Sequence, residues 1–229
     1  MSDFTTWRSL VDGEEIDVIP DSGDLHAQYD ATALSLSDDD SVETWVDESG
    51  NGHDLTSGTS PTYKTDVING KPVVRFDGVG EFLDVAFSEL PQPVTVFMVA
   101  VVRDTGVNDL FDSETSTDFK FHTDNDDSYA FFAGGDSNIN GSTADINSAE
   151  IQTLLADGSD TEFRINGVQD ASGNAGGDGL NGLTVGAGKD DDRHAEADIG
   201  EIAIYPEDKS GIYDDVEQYL SDKWGVGLS

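Results

Sequence analysis

Cysteine is absent from all 229 residues. Disulfides, thiolate nucleophiles and cysteine-ligated metals are thereby excluded, and cysteine usage gives no reading of redox compartment. Basic residues are scarce: 11 Lys and Arg stand against 48 Asp and Glu, a formal net charge of −37. A nucleic-acid partner needs a basic footprint to neutralise phosphates, so that class is excluded. Long apolar runs are missing as well. No stretch approaches the roughly 18 residues of a membrane span, and membrane insertion is not expected. The N-terminus, MSDFTTWRSLVDGEEIDVIPDSG, has neither the basic start nor the apolar run of a signal peptide. Assembly inside the cell, rather than signal-directed export, is therefore the expected route to any exposed location.

What the chain does have is acid, glycine and a moderate apolar fraction. Hydrophobic residues make up 36% and aromatics 9%, enough for a core. The acids are spread along the whole sequence. So large a charge destabilises a compact state by self-repulsion at low salt, whereas in molar salt the Debye length falls to about 3 Å and screens it. The composition therefore predicts a protein adapted to brine or to a salt-saturated cytoplasm. The 25 glycines, with frequent Asp and Asn, supply the turns of an all-β chain.

Residues 1–24 read as a separate arm. Phe4, Trp7, Leu10 and Val11 fall at near-helical spacing, and the segment ends at Pro20-Asp21-Ser22-Gly23. It is either a strand or cap on the main body or a docking segment, with Phe4, Trp7 and Leu10 as the partner-docking residues. The body, 25–229, alternates in short strands: 25–31, a strand–loop–strand over 41–56, a hairpin of 70–78 with 81–87, three strands over 108–135, a hairpin over 150–170, then 182–188 and 195–208. PVTVFMVAVVRD (93–104) is β-branched and almost wholly apolar, so it should be a central strand buried on both faces. Ile212, Val216, Tyr219, Leu220 and Trp224 recur at helical spacing. Ser210 or Asp208 is placed to cap that helix, Asp214 and Asp215 suit its first turn, and Gly225 ends it.

Several segments in order resemble the laminin-G-like, concanavalin-A-like modules of the lectin–glucanase superfamily. They are WVDESGNGHDL (45–55), NGKPVVRFDGVGEFLDV (69–85), the strand 93–103, GLTVGAG (182–188), and GEIAIY followed by a helix ending DKWG. The set covers about 25–225 and is more specific for fold than for ligand. The resemblance implies a two-sheet antiparallel β-sandwich in jelly-roll order, here with one short C-terminal helix. It also implies binding of glycan or protein, often a calcium ion, and frequently a setting on a virion or cell surface.

Related folds include glycosidases, whose catalytic strand resembles Glu-x-Asp-x-x-Glu and sets two carboxylates about 5 Å apart. The nearest match is Glu201-Ile-Ala203-Ile-Tyr-Pro206. Ala203 and Pro206 replace the second and third acids, so no catalytic residue is assigned and Glu201 reads as an ordinary strand residue. His26, His53, His122 and His194 show no zinc spacing, no serine lies in a G-x-S-x-G elbow, and GLTVGAGKD lacks the pattern of a phosphate loop. Two loops place oxygen ligands at alternate positions: Asp136, Asn138 and Asn140 before Gly141, and Asp47, Ser49 and Asn51 before Gly52. These are candidate calcium sites, with Asx-rich turns as the alternative, since Asn147 stands where a calcium loop would place its bidentate Glu. Trp45, Phe131 and Phe132 are candidate sugar platforms, with core packing as the alternative.

The reading is a non-catalytic structural or adhesion module on a virion surface of a halophilic archaeal virus. Its expected partners are copies of itself, other virion proteins and a host-surface glycan or glycoprotein. The alternatives are a host cell-surface lectin-like protein and a glycoside hydrolase or lyase.

Overall fold

The computed structural model describes residues 8–11, 14–115, 118–135, 138–190 and 192–229; for 8–11 and 14–17 it gives the backbone alone. In chain order the strands are β1 (Arg8–Val11), β2 (Glu14–Asp17), β3 (Ala27–Asp30), β4 (Thr44–Trp45), β5 (Leu55–Thr59), β6 (Thr62–Ile68), β7 (Lys71–Asp77), β8 (Phe82–Val85) and β9 (Val94–Val102). They continue as β10 (Asn108–Asp112), β11 (Lys120–Thr123), β12 (Ser128–Phe132), β13 (Ile139–Thr143), β14 (Ala149–Ala156), β15 (Thr161–Ile165), β16 (Val168–Gly173), β17 (Leu183–Val185) and β18 (Glu196–Tyr205). One helix, α1 (Tyr213–Trp224), follows.

The strands form two antiparallel eight-stranded sheets, as the β-sandwich reading expects. One runs β16-β15-β14-β9-β18-β7-β6, with β3 also on β18; the other runs β13-β12-β11-β10-β17-β8-β5-β4. The all-apolar strand is where its composition requires. β9 lies between β14 and β18, and all nine of its residues are buried. Phe121 meets Phe163 edge-on at 5.5 Å, β11 against β15 across the sandwich. A buried polar contact shares this interior: Tyr129 donates to Glu150 at 2.6 Å and accepts from Gln152 at 2.8 Å.

α1 covers the outer face of the β9–β18 sheet. Its Tyr213 lies 6.0 Å from Phe97, and Val216, Leu220 and Trp224 are buried. Asp214 and Asp215 occupy its first turn, and Gly225 ends it at φ 66°. The expected caps do not act as caps. Ile212 holds the N-cap position, and Asp208 accepts from the Ser210 N–H in the short turn before the helix. The turn Ser210–Ile212 supplies the first winding instead.

One other expectation changes. Residues 70–78 and 81–87 are not a hairpin, because β7 and β8 lie in different sheets. Asp77 accepts from Val79 and Gly80 N–H groups, and Gly78 (φ 76°) turns the chain from one layer to the other. Alternation buries Phe76 and Leu83 equally well in either topology, so the pattern alone did not choose. Where it is described, the arm has strand form, one of its two readings: β1 pairs with β2, and Leu10 stands opposite Glu15. Phe4 and Trp7 lie outside the described residues. The end of the arm packs on the body. Ile19 and Pro20 are buried, Tyr205 donates to the Pro20 carbonyl at 2.6 Å, and Lys209 pairs with Asp21 and Asp24.

Candidate functional site

Beside the C-terminal end of α1, the outer face of the β9–β18 sheet opens into a cleft of about 590 Å³. One cross-strand row forms its floor. Register places Arg75 of β7 opposite Asp198 of β18, Asp198 opposite Val101 of β9, and Val101 opposite Ala149 of β14. Period-two alternation turns all four to the same face. In the next row Glu201 stands opposite Val99, and there the helix takes over. Trp224 lies so close to Gly200 that a Cβ there would come within 2.8 Å of the indole, so only glycine admits the helix end. Arg103, two residues beyond Val101, and Asn147, Ser148, Asn166 and Asn69 complete the polar lining.

The walls are held by their own hydrogen bonds. Asn69 donates to the Trp224 and Gly225 carbonyls at 2.8 and 3.0 Å, tying the β6–β7 turn to the helix end. Asn166 accepts from Ile151 N–H at 2.8 Å. On the floor, Arg75 donates through Nε and Nη2 to the two Asp198 oxygens at 2.6 and 2.8 Å. That bidentate contact raises the Arg75 pKa. Arg103 is held more loosely. Its guanidinium lies 3.6 Å from Glu196 and 3.8 Å from Asp198, and makes no hydrogen bond among the described residues.

Glu201 is not an ordinary strand residue. It is fully buried under α1, accepts from Gln28 and Trp224 at 2.8 Å each, and meets Lys223 at 2.7 Å. Burial pushes its pKa up, against the Lys223 charge. Alternation marks Glu201 as one face of a strand; only the returning helix makes that face interior.

The Asp47 loop is a backbone clamp. Asp47 accepts from Gln28 and Ser49 N–H groups through one oxygen and from His53 N–H through the other, at 2.9–3.0 Å. Burial opposes its ionisation, but these N–H groups outweigh it and hold the carboxyl below its usual range. Ser49 and Asn51 donate to carbonyls of His26 and Leu25. The carboxylate that would anchor an ion is thus engaged by N–H donors. Asp136 lies outside the described residues; Asn138 donates to Asp124, and Asn140 is exposed on β13. Among the described residues no three His, Asp or Glu side chains converge to hold a metal. Trp45 and Phe131 are buried in the core and offer no platform, while Phe132 is half-buried beneath Lys120.

Two further polar groups lie elsewhere. His26 stacks on His53 at 4.2 Å against Phe87, and burial with the neighbouring imidazole lowers the His26 pKa to about 4. On the outer face of the other sheet, Asp109 stands opposite His122. Arg193 lies 2.9 Å from Asp109 without hydrogen-bond geometry. Burial pushes Asp109 up to about 7 despite Arg193, and lowers His122 to about 4 despite Asp124. Neither the cleft nor this pair was legible in the sequence. The available signal was the scarcity of cations: two of only five arginines line the cleft.

No protein-family model matches the chain, and no curated protein matches it by sequence. Solved structures do resemble it. Trypanosoma rangeli sialidase, in complex with a difluorinated nonulosonic acid, aligns at TM-score 0.65 and 11% identity over 96% of this chain and 36% of that one. The chain thus spans about a third of the sialidase's length. The receptor-binding domain of a botulinum neurotoxin C/D mosaic serotype aligns at TM-score 0.65 and 12% identity, over 90% of this chain and 55% of that one. Domain 4 of AbnA, a GH43 extracellular arabinanase from Geobacillus stearothermophilus solved with arabinotriose, aligns at TM-score 0.57 and 16% identity. There the overlap is 79% of this chain and 91% of that domain. At these identities the likeness is one of fold: the chain shares a β-sandwich architecture with these domains.

Proposed function

We propose that this chain is a non-catalytic glycan-binding surface module, with the Arg75–Asp198–Arg103 cleft as its sugar site. The observation that carries the reading is the cleft floor. Two guanidiniums, each about a quarter exposed, stand over the buried Asp198 on a rigid sheet, with Asn147 and Ser148 beside them, and such convergent polar groups suit the hydroxyls of a saccharide. The AbnA domain, solved with arabinotriose and similar in size, supports a sandwich of this type holding a short glycan.

The absence of catalysis is part of the proposal. Hydrolysis with retention needs two carboxylates about 5 Å apart, one as acid and one as nucleophile. Both oxygens of Asp198 already accept from Arg75, and Glu201 is sealed beneath α1. The setting we propose is the surface of a virus particle from a brine-dwelling host, with the N-terminal arm joining copies of the chain or neighbouring particle proteins. It rests on the resemblance to virion-borne modules and on the −37 charge.

A glycan array probed in molar KCl tests the reading. Binding to a discrete set of glycans, lost in Arg75→Ala and unaccompanied by cleavage, is expected. A blank array, or binding indifferent to Arg75, would refute the cleft as the site. Mass spectrometry of purified haloviral particles tests the setting.

A further inference from the structure

We infer that the cleft selects saccharides bearing a carboxylate, of the uronic-acid class, and that Arg103 is the residue that receives it. This rests on the reading of the cleft as a glycan site. Arg75 and Arg103 differ in how far their donors are used. Arg75 is fixed by two short bonds to Asp198. Arg103 has its charge compensated by Glu196 and Asp198 at 3.6 and 3.8 Å, yet none of its five N–H donors is engaged by a hydrogen bond among the described residues. Its side chain is one-quarter exposed, in a cleft with the aliphatic Val67, Ile68, Val101 and Val226 around it. A guanidinium with unspent donors in a partly desolvated cleft is matched best by a planar anion that takes two N–H groups at once.

The surroundings fit a carboxylate better than a more highly charged group. Glu196 is the more exposed partner, at 35% of its side chain, and can swing aside. Asp198 is held in place by Arg75, so it limits the negative charge the cleft can accept. The overall charge of −37 repels anions at long range, but molar salt reduces that range to about 3 Å. Contact chemistry inside the cleft then decides.

The test compares an oligogalacturonate with the same oligomer after carboxyl reduction, by calorimetry in molar KCl. The full-length chain should bind the acid form about tenfold tighter, the scale of a charge-assisted hydrogen-bonded pair. Arg103→Gln should bring the two forms level by weakening the acid form alone. Glu196→Gln, which removes the competing carboxylate, should tighten the acid form, a gain that general damage to the fold would not produce. Equal binding of both oligomers, or a preference that survives Arg103→Gln, would overturn the inference while leaving the glycan reading intact. Failure of both oligomers, alongside a blank array, would remove both.

Discussion

Glu201 shows how a single residue's role depends on what returns to cover it. Its carboxylate joins β18 to two other elements: β3 through Gln28, and the end of α1 through Lys223 and Trp224. Lys223 also pairs with Asp30 at 2.6 Å. Removing one member of a buried ion pair leaves the other uncompensated, at about 3–5 kcal/mol. Asp30 remains to Lys223, so Glu201→Gln should cost less, on the order of 2 kcal/mol, and chemical denaturation measures it. Asp47 makes a second case. Because it clamps backbone N–H groups, Asp47→Ala should lower stability by about 1–3 kcal/mol. A chelator added to the wild-type chain should leave the melting temperature unchanged. A chelator-induced drop matching the effect of Asp47→Ala would show that an ion, and not the N–H groups, holds the loop.

Among the elements, α1 and the arm carry the sharpest expectations. α1 ends where Gly200 lets Trp224 reach the sheet, with its ring 2.8 Å from where a Cβ would stand. Gly200→Val should therefore displace the helix end and open the cleft wall, a loss of about 1–3 kcal/mol by overpacking. The change should quench or shift Trp224 fluorescence. The arm divides at about residue 18. Ile19, Pro20 and Asp21 hold the body through burial, the Tyr205 hydroxyl and Lys209. A chain beginning at Val18 should melt like the full-length protein, and one beginning at Asp24 should melt lower. If Trp7 docks on a partner copy, the Val18 chain should also run as a smaller species in sedimentation. An unchanged sedimentation coefficient would end the docking idea.

At the scale of the whole molecule, charge and pH act together. With −37 formal charge the fold should gain stability from 0.1 M to molar KCl, as thermal melts would show; a flat response would contradict the brine reading. His26 and His122 sit at about 4 in the folded chain against an ordinary 6.5. Between those values the unfolded chain binds protons that the folded chain refuses, so their contribution to stability falls as pH drops from about 6.5 to about 4. Asp109 acts the other way. It sits at about 7 against an ordinary 3.8, so the folded chain keeps a proton the unfolded chain has released, and stability falls as pH rises through that window. Asp109→Asn should therefore gain on wild type between pH 4 and 8, by at most about 4 kcal/mol at 1.36 kcal/mol per unit. Urea denaturation at several pH values measures it, and a gap that does not widen with pH would rule out the buried acid.

What the sequence determined by itself was local or additive. Alternation and turn residues specified an all-β chain, the composition of 93–104 specified its central strand, and helical spacing with Gly225 specified α1. What the tertiary structure decided was non-local. Arg75 and Asp198 are 123 residues apart and meet only through register. Whether Glu201 is sealed beneath the helix while Asp198 lies on the floor of a cleft depends on where α1 stops. Asp47 and its alternating oxygens look the same in sequence as an ion loop and as a backbone clamp, and the Gln28 N–H of β3, which Asp47 accepts from 19 residues away, is not legible there. Period-two patterning assigns a side chain to a face, but it carries no information about which strand lies beside it or what covers that face, because those are set by packing between segments distant in the chain.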